Sequence, residues 1–123
     1  RQMCIRDRTV DIFNPKTIRA TMGSIFRVPF VYVSELSPVL TQMHERGIHT
    51  YAAHLKGQKY YDSFSFREPI AFLIGNEGNG LTKEISDQAG QYLKIPMEGK
   101  VESLNASIAA ALLMYEAHRQ RNL

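Results

Sequence analysis

Apolar positions along this 123-residue chain alternate between two periods, one of helices and one of short buried strands. Asn14-Pro15 is a helix-start signal, a capping side chain followed by proline at the first helical position. Ile18, Met22, Ile25 and Phe26 then share one face, which predicts a helix over Pro15–Phe26. Phe30–Val33, aromatic and branched, reads as a strand. Ser37-Pro38 repeats the cap-then-proline signal and predicts a helix to about Arg46, ended by Gly47. His49–Ala53 reads as a short strand, and Gly57–Arg67 as a polar, aromatic loop with a helical turn. The unbroken apolar run Ile70–Ile74 predicts a strand buried on both faces. Thr82–Ala89 reads as a short helix and Tyr92–Ile95 as another buried strand. Ser107–Arg121 predicts a long helix with Ile108, Ala111, Leu112 and Tyr115 facing inward. Strands alternating with helices imply an α/β fold, a parallel sheet flanked by crossover helices. There is no internal repeat and no low-complexity linker.

Regular patterning begins at Val10. Arg1–Arg8 holds three arginines and no assignable period. Residues 1–9 are therefore read as a frayed or non-native leader before a domain at 10–123, with a basic RNA-contacting arm as the competing reading.

Composition narrows the class. A hydrophobic share of 44% and a charged share of 22% are those of one globular domain able to build a core unaided. The single cysteine, Cys4, makes no internal disulfide, which favours an intracellular, cytoplasmic setting. No apolar run approaches the ~20 residues of a membrane-spanning helix, so no membrane partner is expected. The formal charge of +3 permits an RNA partner without requiring one. His44, His49, His54 and His118 lack metal-ligand spacing, so no metal is expected.

Two stretches carry candidate chemistry. In the first, Ile70–Leu81, the apolar run empties into Gly75-Asn76-Glu77-Gly78-Asn79-Gly80. Ligands of parallel sheets bind beyond the carboxyl ends of strands, and Gly75 would let one approach the backbone with no Cβ in the way. The turn is not a Walker loop, because no Lys-Ser/Thr follows its last glycine. Nor does its glycine spacing match G-x-G-x-x-G. Alone, it is equally a glycine-rich connection between strand and helix, with Glu77 a solvated carboxylate near a helix N-terminus.

The second stretch, Ile95–Ala110, leaves a strand through Ile95-Pro96-Met97. It then enters a small-residue helix at Ser103-Leu104-Asn105. Ser103 or Asn105 could serve merely as an N-cap, which leaves the rest of the Ser-Leu-Asn pattern unexplained. Ile95 lies 20 residues after Gly75, and Leu104 nine after Ile95.

IAFLIGNEGNGL and IPMEGKVESLNASIAA together resemble the second and third motifs of the SpoU (TrmH) RNA ribose methyltransferases, a branch of the SPOUT superfamily. The upstream NPKTIRATMGSIFRVPF resembles a further segment of the same family, and the likeness extends over roughly Ile12 to Arg121. The resemblance implies S-adenosylmethionine as cofactor and a ribose 2′-hydroxyl of transfer or ribosomal RNA as target. It implies cofactor contacts at Gly75, Ile95 and Leu104, with Asn76, Gly78 and Met97 as looser candidates, and active-site roles for Glu77, Ser103 and Asn105. It also implies a C-terminal trefoil knot and a homodimer with the last helix as a candidate contact. The family's first motif, which carries the catalytic arginine, has no convincing match here. Arg19 is a weak candidate for it, and the domain is expected to be the C-terminal part of a longer enzyme.

RNA contact has little local support. Arg19, Arg27, Lys56, Lys59, Arg67 and Lys100 are phosphate candidates on an otherwise ordinary charged surface. Tyr60, Tyr61, Phe64 and Phe66 could stack bases, although packing under the sheet is preferred. The basic end, His118 to Arg121, reads as favourable charge at a helix C-terminus. Two other readings stand beside the enzyme: a module that binds S-adenosylmethionine or RNA and transfers nothing, and a flavodoxin-like domain using GNEGNG as a phosphate loop.

Overall fold

The computed structural model describes residues 3–6, 11–54, 57–75, 81–98 and 104–123, which fall into two compact units, Arg1–Leu36 and Ser37–Leu123.

In the first unit, strand β1 (Met3–Arg6) pairs in parallel with β2 (Phe30–Val33), with Met3 opposite Phe30 and Arg6 opposite Val33. Part of the stretch read as a leader is thus a strand. Helix α1 (Pro15–Thr21) lies on the crossover between them, and Asn14 Oδ1 accepts from Lys16 N at 2.9 Å. The helix is shorter than its apolar period suggested. Met22 (φ 51°) and Gly23 (φ 86°) are both left-handed, and the chain restarts as a 3₁₀ turn over Ser24–Phe26. Glycine disfavours a helix interior and favours this kind of ending. The predicted face is therefore broken: Met22 and Phe26 are exposed, whereas Ile18 and Ile25 are half-buried. Phe13, Phe30 and Tyr32 meet edge to face, at 6.0 and 6.2 Å between centroids.

The second unit is a parallel sheet of β3 (His49–Ala53), β4 (Ile70–Leu73) and β5 (Gln91–Leu93), in the order β4-β3-β5. Alternation along β3 sorts the layers. Tyr51 points into a core with Phe66, Leu93, Leu113 and Ala117, the last two from helix α4 (Ala106–Arg121). Thr50 points to the other face. There its hydroxyl lies 2.9 Å from Nε2 of His44, in helix α2 (Ser37–Glu45), and accepts from Gly90 N at 2.8 Å. Gly90 follows helix α3 (Lys83–Gln88), capped by Thr82 and tied to α2 by Gln88 Nε2 donating to Ser37 Oγ at 2.8 Å. The sheet thus lies between α4 and the α2–α3 pair, a parallel sheet flanked by helices as the sequence implied.

Two expectations change. The run Ile70–Ile74 is not buried throughout: Leu73 is buried, Ile70, Ala71 and Phe72 are half-buried, and Ile74 is exposed. β4 is an edge of this three-stranded sheet, so it is not covered as a central strand would be. The inward face of α4 is not Ile108, Ala111, Leu112 and Tyr115 but Leu113, Glu116, Ala117 and Gln120. Tyr115 is 74% exposed and Ile108 54%. Burial of Glu116 and Gln120 is tolerated because both are hydrogen-bonded. The expected knot involves the loop between Ile95 and Asn105, of which residues 99–103 lie outside the described residues.

Candidate functional site

Three parallel strands put three carboxyl ends on one edge of the second unit. Ala52 of β3 is opposite Leu73 of β4, and Ala53 is opposite Leu93 of β5. Gly75 therefore leaves β4, and Ile95 leaves β5, at the same end of the sheet. One strand lies between them, a separation on the order of 10 Å.

The chain after β3 braces the β5 exit. His54 N donates to Leu93 O at 3.0 Å, Lys94 N to Lys59 O at 2.9 Å, and Tyr61 N to Lys94 O at 2.9 Å. Gly57 permits this close passage, since a Cβ there would stand 2.9 Å from the Leu93 carbonyl carbon. The His54 and Tyr92 rings stack at 4.8 Å. Partial burial, with a hydrogen bond to Asp87, pushes the Tyr92 phenol upward. Ile95 packs on the core, and Ile95, Met97 and Leu104 are all half-buried.

Helix α4 is oriented by its far end. Gln120 Oε1 accepts from Phe66 N at 2.6 Å, and Gln120 Nε2 donates to Phe64 O at 3.0 Å. Arg121 donates through Nε to Phe66 O and through a terminal nitrogen to Glu68 O, both at 2.9 Å. Residues 64–68 lead into the amino end of β4, whereas Leu113 packs with Leu93 near the carboxyl end of β5. The helix thus runs antiparallel to the strands, and its N-terminus is directed toward the edge that carries Gly75 and Ile95. There Asn105 Oδ1 accepts from Ser107 N at 2.9 Å and from Ile108 N at 3.3 Å.

Of the sequence-derived site residues, the structure brings Gly75, Ile95 and Met97 to one edge and directs Leu104 and Asn105, at the start of α4, toward it. Asn76, Glu77, Gly78 and Ser103 lie outside the described residues, as do Lys56 and Lys100. Asn105 is the helix N-cap that the simpler reading foresaw. Phe66 is fully buried and meets Tyr51 at 5.1 Å and Phe72 at 5.1 Å, so most of the aromatic cluster is core, with Tyr60 the exposed member. Lys59 stands 6.0 Å over the Phe64 ring, and Arg67 Nε donates to Gln120 O at 3.1 Å.

The basic helix end proves to be a clamp. Arg119 donates to both Glu116 oxygens, at 2.9 and 2.8 Å, and Gln120 Nε2 donates to Glu116 Oε1 at 2.9 Å. These bonds hold the Glu116 carboxyl down to about 2, against the opposing effect of burial. The clamp was not anticipated. Its signal is Glu116 and Gln120 four residues apart on the face that also carries Leu113 and Ala117. At the amino end of the strands a cavity of about 240 Å³ is lined by His44, Gly47, Thr50 and Gly90, and by no candidate cofactor residue. The described residues contain no His/Cys/Asp/Glu group suited to a metal and no helix long and apolar enough to cross a membrane.

Comparison with known proteins agrees with this architecture. The model of the SpoU rRNA Methylase family matches residues 1–115. YacO of Bacillus subtilis, assigned to the TrmH family of tRNA/rRNA methyltransferases, is 38% identical over 104 residues, covering 85% of this chain and 42% of its own. The SpoU methyltransferase AviRb of Streptomyces viridochromogenes, solved with AdoMet, superposes with a TM-score of 0.89 at 32% identity. That match covers 98% of this chain and 49% of AviRb. An RNA 2′-O ribose methyltransferase superposes at 0.86 with 34% identity, over 99% of this chain and 46% of its own. The chain spans about half the length of these three relatives.

Proposed function

The chain belongs to the SpoU rRNA methylase family, and we propose from that premise that it is the cofactor-holding part of an RNA methyltransferase. The cofactor is S-adenosylmethionine, and the acceptor is a ribose 2′-hydroxyl of transfer or ribosomal RNA. The observation that carries the reading is the shared edge: Gly75 and Ile95 leave parallel strands at one end of the sheet, toward which the capped N-terminus of α4 is directed. Ligands of parallel sheets bind at such an edge. The AdoMet complex of AviRb supports the choice of cofactor, and the 2′-O ribose methyltransferase supports the choice of acceptor.

The residues present fit the cofactor. Gly75 offers an approach to backbone without a side chain, with Asn76 and Gly78 following it. Half-buried Ile95, Met97 and Leu104 offer apolar surface for an adenosine. Bound S-adenosylmethionine supplies an activated methyl group, open to in-line attack by a ribose oxygen. The protein's task is orientation and charge placement. Glu77 and Ser103 are the polar groups assigned to the acceptor. Asn105 is assigned there too, although its Oδ1 also caps α4. The catalytic arginine of the family's first motif is not assigned to any residue of this chain. The trefoil knot and a homodimer complete the proposal. Ile108, Leu112, Met114 and Tyr115, all exposed on α4, are the surface a second copy would cover. The family match sets the flavodoxin-like alternative aside.

The test is calorimetric titration of the chain with S-adenosylhomocysteine, with ATP as control. Selective binding is expected, lost in Gly75→Val and Leu104→Asp while circular dichroism stays unchanged. Retained binding in both folded variants refutes the pocket. Methyl transfer to tRNA and rRNA, with the 2′-O-methylnucleoside read after digestion, tests the reaction. Cofactor binding without transfer would favour the non-catalytic module.

A further inference from the structure

The excess positive charge is not spread along the chain. Arg1–Leu36 carries six Lys/Arg and three Asp/Glu, and the remaining residues carry nine of each. The whole formal charge of +3 therefore belongs to the first unit. Within it, Lys16, Arg19 and Arg27 are exposed, and among the described residues none of the three engages its side-chain cation in a hydrogen bond or ion pair. In the second unit Arg67, Arg119 and Arg121 are all held by protein acceptors.

The same unit exposes aromatic surface. A groove of about 470 Å³ is lined by Phe13, Ile25, Phe26, Arg27, Pro29 and Phe30. Phe26 is 76% exposed and Phe13 55%. The left-handed pair Met22–Gly23 produces this surface. It stops α1 and starts the 3₁₀ turn on which Phe26 is displayed beside Arg27. Without that break, Phe26 would continue the face of Ile18 and Ile25.

An exposed arginine beside exposed aromatic rings is the composition that binds unpaired nucleic acid. Rings stack bases of any sequence, and arginine meets the phosphates. We infer that this groove holds an unpaired nucleotide of the RNA, its base against Phe26 or Phe13 and its phosphate near Arg27. The inference rests on the reading of the chain as part of an RNA methyltransferase and adds a contact outside the edge that carries Gly75 and Ile95. The unpaired Arg27 cation in the lining, on the unit that carries the whole excess charge, favours RNA over a protein partner, whose apolar contact would not call for it.

The test is fluorescence anisotropy of a short fluorescein-labelled single-stranded oligoribonucleotide with the wild-type chain, Phe26→Ala and Arg27→Gln. Both side chains are exposed, so both variants should fold. Phe26→Ala is expected to weaken binding roughly ten-fold. Arg27→Gln is expected to reduce the slope of log affinity against log salt by about one. Unchanged binding in both variants overturns the inference, as does a wild-type chain that binds no RNA. So does a Phe26→Ala variant that loses self-association in sedimentation while keeping RNA, which would make the groove a protein contact. Titration with S-adenosylhomocysteine on the same samples reads the broader proposal separately. If the wild type binds it and Phe26→Ala leaves RNA binding intact, only the groove fails.

Discussion

The two ends of α4 obey different rules. Toward its C-terminus the face turned to the protein is mostly polar: Gln120 donates to Glu116, and Gln120 and Arg121 bond to the backbone of 64–68. Toward its N-terminus and middle, apolar Ile108, Leu112, Met114 and Tyr115 face outward. Hydrophobicity alone would have turned the helix the other way. Directional hydrogen bonds in a buried setting decide its rotation, because an unpaired buried group costs more than an exposed methyl group gains. The apolar face is thereby left exposed.

The largest test of this contrast strikes the core beneath the clamp. Phe66→Ala is expected to cost about 3–5 kcal/mol in urea unfolding, since the ring is fully buried among Tyr51, Phe64 and Phe72. A loss below about 1 kcal/mol would mean that this cluster is not the organising core. Gln120→Leu keeps the volume but orphans the Phe66 N–H and the Phe64 carbonyl. It should cost about 1–3 kcal/mol by the same assay. A neutral outcome would remove the hydrogen-bond explanation of the helix's rotation.

Acid probes the clamp without mutation. The Glu116 carboxyl titrates near 2 in the folded chain, against 4.5 ordinarily. A depressed folded value means that its contribution is fully present above the unfolded value and is lost as pH falls from about 4.5 toward about 2. Urea midpoints across that window should fall more steeply for the wild type than for Glu116→Gln. Parallel curves would show that the carboxylate is not specially stabilised.

At the other end, Asn105→Ala should cost about 1 kcal/mol through the lost cap. If Asn105 also serves the reaction, methyl transfer will fall further than S-adenosylhomocysteine binding. Equal losses would leave it structural only. The smallest effect on folding is expected of Tyr115→Glu, within about 0.5 kcal/mol at so exposed a site. Self-association in sedimentation should nevertheless be lost. A variant that associates like the wild type would refute α4 as the proposed dimer contact.

Local signals carried far along this chain. The cap at Asn14, the strands Phe30–Val33 and His49–Ala53, and the proline entering α2 need only their own few residues to be recognised. The two motif stretches located the candidate site, and the fold puts Gly75 and Ile95 on one edge. β1 was missed because Arg1–Arg8 has no period, and the strand is evident only from its pairing with β2. The extent of α1 was misjudged because Ile25 and Phe26 continued an apolar spacing across Gly23, where the backbone departs from the helix.

By itself the sequence determined what short-range chemistry can determine: that all but one of the strands and helices form near where they do, that the strands run parallel, and that glycine and small residues follow two of them. The tertiary structure alone decided which face of α4 turns inward, that residues 57–61 brace the β5 exit, and that two distant motifs share an edge. Those outcomes depend on partners far apart in the chain, such as Gln120 with Phe66 and Tyr61 with Lys94. No local period encodes such partners, because a hydrogen bond or close contact exists only once folding has placed both of its ends.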